Sequence, residues 1–101
     1  MGSKPVSFHP EADLEYLSSL AWYKDRSRSA ALDFEREFQR AVSAIAGAPE
    51  RWPIYFSRFR RYSLHQFPFS IVYRVVNETV FVLAVAHGHR RPGYWRKRQR
   101  Q

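Results

Sequence analysis

The spacing of apolar and polar positions changes character near residue 50 of this chain. Before that point, Val6-Ser7-Phe8 alternates apolar and polar and predicts a short strand. Ala12, Tyr16, Leu17, Leu20 and Tyr23 then recur at helical spacing, which predicts an amphipathic helix over about Pro10 to Lys24 with these five residues on its core face. Pro10 falls in the first turn, where its missing amide costs nothing, and Glu11 and Asp13 suit the positive end of a helix. Asp25-Arg26-Ser27-Arg28 breaks the pattern. Ser29 is the expected N-cap of a second helix, with Asp33 in its early turns. Ala31, Phe34, Phe38, Val42 and Ile45 form its apolar stripe, and Gly47 and Pro49 end it.

The second half reads as strands. Arg58–Leu64 is polar and aromatic, whereas Phe69–Val76 and Thr79–Ala86 are dense in β-branched and aromatic residues. Asn77-Glu78 separates the last two, a two-residue spacing that predicts a tight hairpin. In the first of these strands, alternation puts Arg58, Arg60 and Tyr62 on one face and Phe59 and Arg61 on the other. Either Phe59 or Tyr62 is then core, and the pattern does not choose. The layout is β-α-α-β-β-β, an α+β fold in which a helical hairpin covers one face of a small antiparallel sheet.

At 101 residues, 45% of them hydrophobic, the chain is one domain over residues 1–101 with a core of its own. Residues 1–4, opening Met1-Gly2-Ser3, look like a cloning remnant. No apolar run reaches the length of a membrane span, and no signal-peptide core is present. The chain has no cysteine, which excludes disulfides and thiolate chemistry and fits a cytoplasmic protein with no membrane association. Charge alters the picture more. Residues 51–101 hold 11 of the 17 Lys and Arg but one of the nine acids, Glu78. A basic tail, residues 91–101, closes the chain. Such asymmetry points to an anionic partner, and the mixture of cations with Tyr94 and Trp95 suits nucleic acid or nucleoprotein, against the plainer reading of a solvated tail.

Several segments in this order resemble the RelE/ParE superfamily, the toxins of bacterial type II toxin–antitoxin modules. They are Phe8-His9-Pro10-Glu11-Ala12, Trp22-Tyr23, Ala48-Pro49-Glu50-Arg51-Trp52-Pro53, Phe67-Pro68-Phe69-Ser70-Ile71-Val72-Tyr73-Arg74, and Ala84-Val85-Ala86-His87 leading to Arg90-Arg91-Pro92-Gly93-Tyr94-Trp95. The resemblance implies a growth inhibitor neutralised by a cognate antitoxin, an acidic and partly disordered protein that folds on contact. It also implies indirect contact with operator DNA through that antitoxin. Trp22, Tyr23, Arg58 and Arg60 are the candidate antitoxin contacts.

The superfamily divides by target. RelE-like members cut mRNA on the ribosome, while ParE-like members act on DNA gyrase. Metal-free RNA cleavage needs a base, an acid and cations around one phosphate, and Arg60 or Arg61, Arg74, His87, Arg90 and Tyr94 are the candidates. Glu50 is the one acid near the position where some relatives carry a catalytic carboxylate. The second strand here carries arginine where RelE-like chains carry lysine. The Pro92-Gly93-Tyr94-Trp95 ending followed by Arg96-Lys97-Arg98 resembles the ParE-like branch, which is preferred. In that branch Arg90, Arg91, Tyr94, Trp95, Arg96, Lys97 and Arg98 are the target-binding candidates. A relative that binds only antitoxin and operator is the third reading. His87 and His89 share one face of an extended segment with no third ligand in sight, so no metal and no cofactor is expected.

Overall fold

The computed structural model describes residues 2–100, with the side chains of Gln99 and Arg100 excepted. Met1 and Gln101, the outer ends of the segments read above as a cloning remnant and a basic tail, lie outside the described residues. The element order is β1 (Val6–Phe8), α1 (Pro10–Arg26), α2 (Arg28–Gly47), a 3-10 turn (Pro49–Arg51), β2 (Ile54–Phe56), β3 (Phe59–Ser63), β4 (Phe69–Val76), β5 (Thr79–His87) and a closing 3-10 turn (Arg96–Arg100). The strands lie in the order β1-β5-β4-β3-β2.

Strands β2 to β5 are antiparallel, as expected, but β1 joins β5 in parallel, so the sheet is mixed. Three residues of alternation carry no information about strand direction. That direction is imposed by α1, which leaves β1 at once and runs back across the sheet. Strand β2 was not anticipated either, because three residues after Pro53 are too few for a period of two to register.

A single residue joins the helices. Ser27 is extended (φ −162°, ψ 114°); its amide donates to the Tyr23 carbonyl at 2.7 Å and its Oγ accepts from the Ala30 amide at 3.1 Å. The N-cap of α2 is therefore Ser27 rather than Ser29. The Asn77-Glu78 turn is as expected, with φ of 49° and 66°, the left-handed pair that a two-residue hairpin requires. Lys4 Nζ donates to Glu78 Oε1 at 2.7 Å and ties the hairpin to the chain start.

The main core lies between the helices and the sheet. Ala12 and Leu20 of α1 and Phe34, Phe38, Ala41 and Ile45 of α2 pack against Ile71, Tyr73, Val80, Val82 and Val85. Tyr16 stacks on Phe38, with ring centroids 4.2 Å apart. Leu17 is a correction: it is 50% exposed, because the buried line of α1 runs Ala12-Tyr16-Leu20-Tyr23 and the next residue after Tyr16 is turned about 100° away.

The opposite face of the sheet is also covered. Phe59, Val72, Leu83 and Ala84 form a second cluster closed by Trp95, which is 1% exposed. The Trp95 ring meets Phe59 at 4.8 Å, nearly edge-on, with Tyr55 and Phe56 beyond. Both readings of β3 thus hold at once, with Tyr62 packing toward the helices and Phe59 toward the tail. This two-sided burial explains why β4 and β5 read as unbroken apolar runs rather than alternating ones.

If the tail is part of the fold, Trp95→Ala should destabilise the protein by about 3 kcal/mol, the range for emptying a buried aromatic site. Urea unfolding of the two proteins checks this; an unchanged midpoint would mean a solvated tail.

Candidate functional site

The carboxylate of Glu15 on α1 organises the basic end of the molecule. Its Oε1 accepts from the Val85 amide at 2.9 Å and from Arg98 Nη1 at 3.0 Å; its Oε2 accepts from the Tyr94 hydroxyl at 2.8 Å and from Arg98 Nη2 at 3.0 Å. Arg90 Nη1 stands 3.8 Å from Oε2. The Glu15 and Arg98 side chains are only 15% and 14% exposed, so this is a largely desolvated bidentate pair. Arg98 Nη1 also donates to the Leu83 carbonyl at 3.0 Å. The register of β1 on β5 ends at Val82. Past that point two groups of the β5 edge, the Leu83 carbonyl and the Val85 amide, are taken by Arg98 and Glu15.

Around this pair the tail presents its cations. The Arg90 guanidinium lies 3.8 Å from the Tyr94 ring centre and Arg98 lies 5.0 Å from it; Arg96 lies 4.7 Å from Phe56, and Arg61 of β3 lies 4.1 Å from Tyr55. A guanidinium on an aromatic face has its plane set and its donor edge outward. Arg61, Arg90, Arg91, Arg96 and Lys97 are exposed. Arg61, Ser70, His87, Gly88, Arg90, Arg91 and Tyr94 help to line a cleft of about 120 Å³ between the tail and the sheet. Of the target-binding candidates, Trp95 is buried and Arg98 is paired, so both are anchors. Arg90, Arg91, Arg96 and Lys97 are available for contact.

Of the six candidate nuclease residues, Arg61, His87, Arg90 and Tyr94 border that cleft, and Arg60 and Arg74 do not. Arg61, Arg74 and Tyr94 lie on the outer, tail-covered side. Arg60 faces the helix side, where Nη1 donates to the carbonyls of Trp52 at 2.6 Å and Glu50 at 3.3 Å and so holds the turn before β2. The His87 ring meets Phe69 edge-on at 5.0 Å and stacks on His89 at 4.9 Å, and its Nδ1 accepts from the His89 amide at 3.0 Å. Arg74 lies 5.9 Å from the Phe59 ring; burial and then the charge of Arg58 lower its pKa. Glu50 is exposed in its turn.

The antitoxin candidates divide too. Trp22 is 52% exposed, lies edge-on to Tyr23 and carries Arg26 at 3.8 Å over its ring. With Ser18, Tyr23, Pro68, Phe69 and His87 it lines a groove of about 440 Å³ beside α1. Arg58 and Arg60 lie at the β3 side of the sheet, away from this groove.

The sequence reading passed over two carboxylates, Glu15 and Glu37. Glu37 of α2 is buried and accepts from the amides of His65 and Gln66, fixing the turn between β3 and β4. Both could have been found. Glu15 stands three residues after buried Ala12, and Glu37 three after Phe34 and four before Ala41, so each lies within a buried arc of its helix.

Over residues 6–92 the sequence matches the family model of the ParE toxin of the type II toxin–antitoxin system, parDE. No curated protein matches it. Among solved structures, the chromosomal ParDE TA system from P. aeruginosa is similar at a TM-score of 0.72 and 16% sequence identity. The match covers 84% of this chain and 96% of that one. At that identity the likeness is one of fold.

Two phenols should make the protein sensitive to alkali. Burial, then the hydrogen bond and charge of Glu15, push the Tyr94 hydroxyl well above its ordinary value of 10. Burial pushes Tyr73, which donates to the Pro49 carbonyl at 2.6 Å, up to about 12. Both bind their protons more tightly folded than unfolded, so their stabilisation is complete below pH 10 and is lost as pH rises toward the folded values. Urea midpoints should therefore fall as pH rises from about 10 to about 12, the window between those two limits. Tyr94→Phe should lower stability at pH 8 by about 1.5 kcal/mol, yet show a shallower alkaline decline. An equal slope in the variant would rule out Tyr94 as a source.

Proposed function

The chain belongs to the family of ParE toxins of type II toxin–antitoxin systems, and on that premise we propose that it arrests growth by binding DNA gyrase through the basic outer face of its sheet. The observation that carries this reading over RNA cleavage is how the candidate nuclease residues are already engaged. A metal-free cut needs its base, acid and cations around one phosphate. Here the His87 imidazole packs against Phe69 and accepts from the His89 amide, and Arg74 lies by the Phe59 ring. Arg60 is engaged by two backbone carbonyls, and the Tyr94 phenol, held by Glu15, parts with its proton less readily than an ordinary tyrosine. What the outer face offers is a fixed set of exposed cations among aromatic rings, which suits docking on an acidic protein surface.

A cognate antitoxin, acidic and partly disordered, would neutralise the toxin by folding onto it. The groove beside Trp22, Tyr23 and His87 is the seat we assign it, since half-exposed aromatic anchors are the usual centre of such contacts. Operator DNA would be reached through that antitoxin. No helix among the described residues is long and apolar enough to cross a membrane, and a gyrase inhibitor would act in the cytoplasm.

Pulse-labelling after induction of this chain alone tests the reading. DNA synthesis should fail before protein synthesis, His87→Ala should keep its toxicity, and the double change Arg90→Ala with Arg91→Ala should weaken it. Early failure of protein synthesis, with a loss of about a hundredfold or more in His87→Ala as for a general acid or base, would establish the nuclease instead.

A further inference from the structure

We propose that Glu15 is the positioning residue of the target-binding face: through Tyr94 and Arg98 it holds the tail rigid and so sets where Arg90 and its neighbouring cations stand. The inference rests on the outer face being the gyrase contact.

Three observations lead to it. A carboxylate 15% exposed is engaged by one strand amide, one phenol and both arms of one guanidinium, so its oxygens leave little room for another role. The Tyr94 ring is the common support of Arg90, at 3.8 Å, and Arg98, at 5.0 Å, and Glu15 grips the hydroxyl of that ring. Glu15 therefore reaches Arg90 twice, through Tyr94 and by its own charge at 3.8 Å. Finally, Trp95 is buried one residue along, and the Arg98 amide donates to the Trp95 carbonyl at 2.9 Å, so the hold on Arg98 is passed directly to the segment carrying Arg96 and Lys97. Tyr94, Trp95 and Arg98 all lie past residue 92, where the family match ends.

The physical benefit is preorganisation. An arginine on a loose tail must be ordered when it binds, at a cost in side-chain and backbone entropy; one already stacked and held is not. A single acid inside a cationic cluster also offsets the mutual repulsion of Arg90 and Arg98 without covering the outer cations.

The test compares wild type with Glu15→Gln, Tyr94→Phe, Arg98→Lys and the double Arg90→Ala/Arg91→Ala variant. Two readouts are used, hydrogen exchange across the chain and affinity for purified DNA gyrase. Glu15→Gln keeps an oxygen for the Val85 amide but drops the charge that holds Arg98. Faster exchange at Trp95 and Arg98 is expected with α2 unchanged, together with gyrase affinity reduced about tenfold. Tyr94→Phe should lose less, and Arg98→Lys should lie between wild type and Glu15→Gln. Faster tail exchange with wild-type affinity in Glu15→Gln would overturn the inference alone, since Glu15 would then serve only the fold. If Glu15→Gln also loosens α2, Tyr94→Phe decides in the same way, because it removes one oxygen and leaves the ring. Full affinity in the double arginine variant, or none in wild type, would remove the gyrase reading and the inference with it.

Discussion

A carboxylate taken out of water must be hydrogen-bonded and paired, or its charge weighs heavily against the folded state. Glu15 meets that demand with donors from β5 and from the tail, segments 70 to 83 residues away in the chain. Much of the architecture on that side follows. Strand β1 covers only Val80 to Val82 of its neighbour, and the sheet edge beyond it would otherwise present bare amides and carbonyls. The Glu15–Arg98 pair takes up two of these groups, and in doing so draws the C-terminal segment against the body of the protein.

Trp95 depends on that arrangement and extends it. A sheet covered by helices on one side leaves its other side to water, and in a chain of this size a second apolar layer adds much to a limited core. Here the layer is one indole set over Phe59, Val72, Leu83 and Ala84. The tail is thus amphipathic in three dimensions although it is densely basic in sequence. Aromatic groups turn inward or support guanidinium planes, Arg98 pairs with Glu15, and the charges of Arg91, Arg96 and Lys97 are exposed. Conventional elements do not produce this face; only short turns join Trp95 to the end of β5.

The same division bears on activity. Catalysis needs several groups converging on one atom, whereas docking needs charges held in fixed relation over a surface. Arg60 is fastened to the Trp52 carbonyl, His87 is packed on Phe69 and Tyr94 is committed to Glu15. Arg61 on Tyr55, Arg90 on Tyr94 and Arg96 on Phe56 form a surface array.

Local features were legible in the sequence. The periods of α1, α2, β4 and β5, the proline start of α1 and the left-handed Asn77-Glu78 turn all depend on neighbours within a few residues. The ordered segments from Phe8 to Trp95 marked the family. Where two local signals competed, the sequence could mislead: Ser27 and Ser29 are both fair caps, and Leu17 sits one residue from the buried line. Whether Phe59 or Tyr62 was core could not be decided, because the pattern assumes one wet face and this sheet has none at its centre. Tertiary structure alone brought Trp95 under cover, fastened Arg60 to the turn before β2, and gave Glu15 and Glu37 their partners. Periodicity records which side of an element is apolar. Which distant group satisfies a buried charge is decided only when the whole chain closes around it.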